Sequence, residues 1–359
     1  MKKTIYQRVR NFASTNFKHF CSNYSKSNWN RWNTIRGRYK GERVFLVANG
    51  PSLNITPLYL LKKENVIMFN RSSLMLERFN FYPDFYMIVD GLVGPTIKED
   101  IQLFVNHSRY VFVPDITKGD LVDFTQFVEY KDNVMFMYDE PVEYSYRLPF
   151  VGFGNTVIYC AFQVLQWMGF SEVIVVGNDM NYVIQKSAAV IGEEVIKGRV
   201  HQNVKSTKDD DPNHFDPRYF GKGKEYHQPT EELMDKIFAN LDVVAEDYKK
   251  AGIKIVNAGY NSKVESFPKR DFYECLGYGK EKIDEIFEDL IKSKGFYSLT
   301  EFLNMSIDTN GLWDDDRTIA AVPTTFASDM IKSLIFDYLP VGPYEGKIYF
   351  INREFLKKQ

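Results

Sequence analysis

Short apolar runs, each breaking into a small or polar turn, recur along the first two thirds of the chain. Val44–Ala48 runs into Asn49-Gly50-Pro51-Ser52, Asn65–Phe69 into Asn70-Arg71-Ser72, Pro83–Val89 into Asp90-Gly91, and Glu172–Val176 into Gly177-Asn178-Asp179. Continuous apolar runs bounded by turn residues are the pattern of strands buried on both faces. Tyr110–Val113 and Val134–Met137 add two shorter strands. Elsewhere the apolar spacing is helical. Pro57–Lys63 reads as a short helix, Val157–Met168 as a longer one stopped by Gly169, and Glu231–Lys250 as a long amphipathic helix closed by Gly252. The strand Lys254–Val256 follows. This alternation predicts an α/β fold, a Rossmann-like, doubly wound and mostly parallel sheet. No internal repeat is visible.

Two segments break the rhythm. Residues 183–226 are polar and charged, lack apolar periodicity and include the acidic run Asp209-Asp210-Asp211. A long irregular segment inside a compact domain is usually a lid or a binding loop. Residues 271–359 change character again, with a charged helix near 279–294 and a closing strand Lys347–Ile351. They read as a small α+β appendage without legible chemistry. The expected organisation is a leader over 1–40, a Rossmann-like domain over 41–270 with its lid over 183–226, and the accessory region 271–359.

Composition narrows the class. Of the 359 residues 44% are hydrophobic and 16% aromatic, enough for a sizeable core. No apolar run approaches the roughly 18 residues of a membrane-spanning helix. Cys21, Cys160 and Cys275 are far apart and form no C-x-x-C pair, which suits a reducing compartment better than a disulfide framework or a zinc site. The net charge of −2 hides an asymmetry: residues 1–40 carry ten Lys/Arg and no Asp/Glu. Tyr6, Phe12, Phe17, Phe20, Tyr24, Trp29 and Trp32 lie in the same stretch. Roughly helical spacing of Ile5, Val9, Phe12 and Phe20 beside these cations fits an interfacial helix on anionic lipid, or else a solvated leader packed loosely on the domain. No nucleic-acid-binding module accompanies it.

In a doubly wound sheet the carboxyl ends of the strands border one crevice. The polar residues at those ends are Asn49 and Ser52, Asn70, Asp90, and Asn178 and Asp179. The turns at Gly50-Pro51 and Gly177 carry no bulky side chain to cover the backbone, and bare amides suit a phosphate. Asn155 or Thr156 can cap the helix from 157 and leave its first amides facing an anion. From the irregular segment come His214, Tyr226 and His227. A histidine on a closing lid is placed to act as general base. The alternatives are a metal pair completed by Asp216 or Asp179, or hydrogen bonding within the loop. Neither a Walker loop nor a Gly-x-Ser-x-Gly elbow is present.

The set Ala48–Leu53, Phe69-Asn70, Gly154-Asn155-Thr156 and Gly177-Asn178-Asp179 resembles bacterial surface-polysaccharide proteins grouped with flagellar motility accessory factors and archaeal 6-hydroxymethylpterin diphosphokinases. His214–Gly221 and His227–Pro229 are similar to members found near lipopolysaccharide and capsule loci. More distantly, the motifs resemble bacterial lipooligosaccharide sialyltransferases. The resemblance covers about 41–270 and implies a single Rossmann-like domain, a GT-A-like variant that needs no metal or other cofactor. It implies that Asn49, Gly50, Ser52 and Asn70 hold CMP, that Asp179 matches the aspartate of a Gly-x-Asp motif, and that His227 is the base, with His214 an upstream histidine. Three positions depart from the pattern. Asp90 stands where an asparagine contacts the donor, Val157-Ile158 replaces Ser-Gly after Thr156, and Asn181 occupies a phosphate-binding tyrosine position, with Tyr182 beside it.

Together these readings lead to an expected inverting, metal-independent glycosyltransferase of surface polysaccharide or lipopolysaccharide synthesis. Its donor is a CMP-activated ulosonic acid, sialic acid-like or Kdo, and its acceptor a glycan or glycolipid. It would sit on the cytoplasmic face of the inner membrane, as a homo-oligomer or alone, with no nucleic-acid partner. One rival is a diphosphokinase-like enzyme using ATP and Mg held by Asp90, Asp179 or Asp209–Asp211. The other is a non-catalytic membrane-surface assembly protein.

Overall fold

The computed structural model describes residues 23–79, 81–115, 122–139, 144–196, 199–227, 229–292, 319–324, 331–332 and 334–353. Its centre is an eight-stranded sheet. The strands are β1 (Arg43–Val47), β2 (Asn65–Phe69), β3 (Phe85–Met87), β4 (Tyr110–Pro114), β5 (Val134–Asp139), β6 (Phe150–Val151), β7 (Glu172–Val176) and β11 (Lys254–Asn257). They lie in the order β11-β7-β1-β2-β3-β4-β5-β6, every neighbouring pair parallel. The expected doubly wound parallel sheet is borne out. The chain steps outward from β1 through β2–β6 in one direction and through β7 and β11 in the other. The switch point therefore falls between β1 and β7, where open α/β sheets bind ligands.

Successive side chains of each strand enter opposite layers. Val44, Leu46, Ile67, Phe69, Val173 and Val175 face α1 (Asn23–Ile35), α4 (Val157–Met168) and α5 (Glu231–Ala251), meeting Trp32, Phe162, Leu165, Leu241 and Tyr248. Phe45, Val47, Val66, Met68, Ile174 and Val176 face the other layer, with Leu58, Leu61, Met75 of α2 (Ser73–Phe79) and Phe272 of α6 (Phe272–Cys275). Tyr86, Val111 and Val113 meet Ile101 and Phe104 of α3 (Lys98–His107) in a third cluster. Each strand reads as apolar throughout because both of its faces are covered. The helix expected at Pro57–Lys63 is a 3-10 turn over Leu58–Lys63.

The predicted leader divides. Residues 1–22, which hold Cys21 and the span where an interfacial helix is expected, lie outside the described residues. Residues 23–40 are not a loose leader but part of the domain. Asn28, Trp32, Ile35 and Tyr39 are buried, whereas Lys26, Arg36, Arg38 and Lys40 are exposed. Asn28 is fully buried against β5. Its Nδ2 donates to the Phe136 carbonyl at 2.8 Å and its Oδ1 accepts the Phe136 N–H at 2.9 Å. Trp32 Nε1 donates to the same carbonyl at 3.0 Å. The two-residue β6 pairs β5 only at Tyr138 and Asp139, so Asn28 acts as a side-chain substitute for a neighbouring strand at Phe136.

The segment 183–226 is not structureless. It holds β8 (Ala188–Ile196), β9 (Arg199–Ser206) and β10 (Glu225–His227), an antiparallel sheet ordered β10-β9-β8. Alternation was invisible for two reasons. Ala189, Val190, Ile191, Gly192 and Glu193 are all exposed, and a bulge between Val190 and Gly192 shifts the register. Beyond α7 (Lys280–Lys292), the C-terminal region forms a second antiparallel sheet, β12 (Ile319–Pro323), β14 (Lys347–Asn352) and β13 (Tyr338–Tyr344), in the order β12-β14-β13. It is joined to the main domain. Ile55 of the 3-10 turn Pro51–Ile55 packs with Val322, Tyr338 and Phe350, and Leu339, Val341 and Tyr349 enter the same core as Phe45 and Val47.

Replacing Asn28 by alanine removes its bonds to β5 and should cost about 2–3 kcal/mol. A lowered midpoint in urea unfolding with an unchanged slope is expected; an unchanged midpoint would show that the contact contributes nothing.

Candidate functional site

The loop after β1 and the loop after β7 are bound to each other. Ala48 N–H donates to Val176 O at 2.9 Å and Gly50 N–H to Gly177 O at 2.7 Å, which carries the ladder beyond the strands. Ser52 then binds Asp179 twice, its N–H to Oδ2 at 2.7 Å and its hydroxyl to Oδ1. Gly50 is required by this approach, since a Cβ there would lie 2.5 Å from Gly177 O and 2.6 Å from Asp179 Cγ. The amides of Gly50 and Ser52, expected to face a phosphate, are therefore consumed inside the protein, and Pro51 has none. Ser52 and Asp179 are both buried. Burial pushes the Asp179 carboxyl up to about 6, with the Ser52 bonds opposing the shift.

Around this junction opens a cavity of about 450 Å³, within the range of small-molecule sites. Of the residues singled out in the sequence, Asn49, Gly50, Pro51, Asn70, Asp90, Gly177, Asn178 and Asp179 line it from the strand ends. Asn155 and Thr156 line it from the start of α4, Tyr182 from the loop after β7, and His214, Tyr226 and His227 from the 183–227 segment. Ser52 lies behind the lining. The opposite wall is apolar, with Phe153, Val157, Leu233, Met234 and Ile237.

The polar atoms are unevenly satisfied. Asn49 Nδ2 donates to Phe69 O at 3.2 Å and to the Tyr219 hydroxyl at 3.3 Å, leaving Oδ1 buried without a partner. Asn70 Oδ1 and Asn178 Nδ2 are buried without partners too. Asp90 Oδ1 accepts the N–H groups of Leu92 and Val93 and so closes its own turn. Thr156 occupies the N-cap position of α4, but no side chain caps the helix, and its positive end opens on the cavity. The Tyr226 hydroxyl is spent on Gln185 Oε1 at 2.8 Å; burial, with Asp211 and Asp210 nearby, pushes it up to about 12.

His214 is firmly held. Its Nδ1 meets Asp211 Oδ2 at 2.8 Å, and its ring stacks on Tyr219 at 3.8 Å between centroids, 2° from parallel. Asp211 also accepts the N–H groups of Asn213 and Phe220. The next residue, Phe215, donates its N–H to Asn49 O at 3.0 Å, so this segment hooks onto the β1 loop. His227 reaches the cavity from β10, opposite Asn203 in register.

The acidic run does not form a common site. Asp209 accepts Lys222 N–H, Asp210 accepts Gln185 and Ser187, and Asp211 holds His214. Asp216 is fully buried and gripped by Arg218 at 3.0 and 2.8 Å. Among the described residues no three His, Cys, Asp or Glu side chains converge as a metal ion requires. Sequence reasoning passed over Tyr219 and Arg71. Arg71 follows Asn70, is buried, bonds Thr96 Oγ1 at 2.8 Å and keeps an unpartnered Nε. Burial lowers its pKa, with Tyr219, Asp100, Tyr86 and Asp90 opposing the shift through space. A cation directly after a strand-end asparagine was the available signal.

Residues 18–185 match the family described as 6-hydroxymethylpterin diphosphokinase MptE-like. No curated protein matches the sequence. Among solved structures, the MAf glycosyltransferase from Magnetospirillum magneticum AMB-1 aligns over 75% of this chain at 15% identity, with a TM-score of 0.40. This chain spans 41% of that protein's length. The sialyltransferase CstII from Campylobacter jejuni, in complex with a substrate analogue, cytidine-5'-monophosphate, aligns over 64% of this chain and 85% of its own at 13% identity, TM-score 0.36. Likeness at these scores bears on neither substrate nor mechanism. No described helix is long and apolar enough to cross a membrane.

Asp179 generates a pH prediction. Its carboxyl ionises near its ordinary 3.8 when unfolded and at about 6 when folded. Between those values the folded chain retains a proton the unfolded chain has lost, so this group's contribution to stability falls as pH rises. The loss is on the order of 3 kcal/mol. Asp179→Asn keeps a bond in each direction to Ser52 and removes the slope. Its melting temperature should therefore gain on wild type from pH 4 to 6 and run level above; parallel profiles would show that Asp179 ionises normally.

Proposed function

We propose that the protein is an inverting glycosyltransferase of bacterial surface polysaccharide or lipopolysaccharide synthesis, using a CMP-activated ulosonic acid and no metal. The observation that carries the reading is one cavity in which strand-end carboxamides, the uncapped start of α4 and two histidines meet. Asn49, Asn70 and Asn178 offer unpartnered acceptors and a donor to the nucleotide and sugar hydroxyls. No lysine or arginine lines the cavity among the described residues. The donor phosphate then rests near the α4 N-terminus, with Tyr182 at the rim.

In the reaction an acceptor hydroxyl attacks the anomeric carbon. The bond from that carbon to the phosphate oxygen breaks, CMP leaves with the electron pair, and a histidine takes the hydroxyl proton. His227 is the assigned base. His214 is its competitor, because the Asp211 bond fixes Nδ1 and leaves Nε2 for the acceptor. The apolar wall of Phe153, Leu233 and Met234 suits an acceptor carrying apolar surface, such as a glycolipid. Contact with the inner-membrane surface through the basic residues 1–22, and any homo-oligomer, rest on the sequence alone.

The matched family name raises the diphosphokinase reading. It is the weaker one, because Asp90, Asp179, Asp209, Asp210 and Asp211 each accept hydrogen bonds from the protein itself. Thermal shift separates the two. CMP without metal should raise the melting temperature, as a ligand specific for the folded state does. Stabilisation by ATP only with magnesium would move the assignment to a diphosphokinase, and no response to any nucleotide would favour the assembly protein.

His227→Ala should reduce transfer at least about a hundredfold, as loss of a general base does, with CMP affinity within a few-fold of wild type. If His214→Ala has that effect and His227→Ala does not, the base is His214.

A further inference from the structure

Tyr219 lines the cavity and is 2% exposed. Five side chains meet on it. Its hydroxyl accepts Asn49 Nδ2 at 3.3 Å, and the Asn70 carboxamide interacts with the same hydroxyl. Its ring stacks on His214 and meets Phe215 and Phe220 edge-on. A carboxamide can be flipped end for end, and only its partners decide which end faces a ligand. The Tyr219 hydroxyl and Phe69 O both take Nδ2 of Asn49, which commits Oδ1 to the other side. That Oδ1 and the Oδ1 of Asn70 are buried without partners. A buried acceptor left unmade is costly, and a ligand bringing donors removes the cost.

We infer that Tyr219 is the positioning residue of the donor site, its hydroxyl fixing the orientation of the Asn49 carboxamide on the cavity wall. The role rests on the nucleotide-sugar reading above. It also explains a feature of the chain order: the residue that arranges the β1 loop is carried by the 183–227 segment, 170 positions after Asn49. That segment thereby sets donor affinity from the cavity wall as well as bringing the histidines to it.

The test is a double-mutant cycle on CMP affinity, measured by calorimetry with the full chain. Tyr219→Phe deletes the hydroxyl and keeps the ring against His214, Phe215 and Phe220. It should weaken CMP binding about tenfold, the order expected for a hydrogen bond lost from an organised site. Asn49→Ala should weaken it by a similar factor. If Tyr219 acts through Asn49, Tyr219→Phe on the Asn49→Ala background should change affinity less than about threefold, because the two residues form one unit. A purely structural hydroxyl would give factors that multiply. Ligand-free melting curves check that the variants are folded, and Asn49→Ala measures the carboxamide directly if Tyr219→Phe is not. Wild-type affinity in Tyr219→Phe, or multiplying factors, overturns the inference alone. If the wild-type chain takes up no CMP at millimolar concentration, the donor reading falls and the inference with it.

Discussion

Two bonds between Ser52 and Asp179 join the strand ends on either side of the switch point, and the geometry of the cavity follows from that junction. Parallel strands diverge beyond their ladders because the sheet twists, so loops leaving neighbouring strands would ordinarily separate. Here Gly50 lets the backbones touch and the buried carboxylate ties them, so Asn49 on one side and Asn178 on the other are held at fixed separation. The arrangement has a chemical cost. A carboxylate is kept from water and two amides are withdrawn from ligand binding.

With those amides engaged, the nucleotide-sugar donor proposed for the site has to be met by other means. The open end of α4 supplies a partial positive charge, and Arg71, buried behind Asn70, supplies a whole one without entering the lining. In the proposed site, carboxamides do the remaining recognition. They are neutral and bind hydroxyls and amines equally well in their two orientations, so their orientation has to be set from behind. The segment after β7 does this from one side, through Tyr219 and Phe215. The C-terminal sheet braces the same loop from the other, through Ile55.

The parts legible in the sequence were those whose burial is total. β1, β2 and β7 are continuous apolar runs because helices cover both faces, and α4 ends where Gly169 adopts φ 90°, a conformation glycine takes without strain. What stayed hidden depended on partners far away. α1 has helical spacing, but its buried stripe includes the polar Asn28, whose partner is a strand backbone 108 positions on, and surface cations mask the rest. The antiparallel hairpin over 188–206 hides its period behind an exposed face and a bulge. The loss of the Gly50 and Ser52 amides could not be read at all, since it rests on a pairing across 127 residues. Which residues gather at the cavity was therefore legible, whereas which of their atoms remain open to a ligand was not.

The contact between Asn28 and Phe136 also constrains the order of events during synthesis. α1 is made 108 residues before the strand edge it completes. At ribosomal rates of roughly 5–20 residues per second, that interval lasts on the order of 5–20 seconds. Through it, Asn28 and Trp32 lack the Phe136 backbone they bond, and a helix of 13 residues is marginal by itself in water. The nascent chain thus carries an aromatic, cationic stretch that must stay soluble until β5 emerges. Lys26, Arg36, Arg38 and Lys40, exposed in the finished fold, serve that waiting period as well as the folded surface.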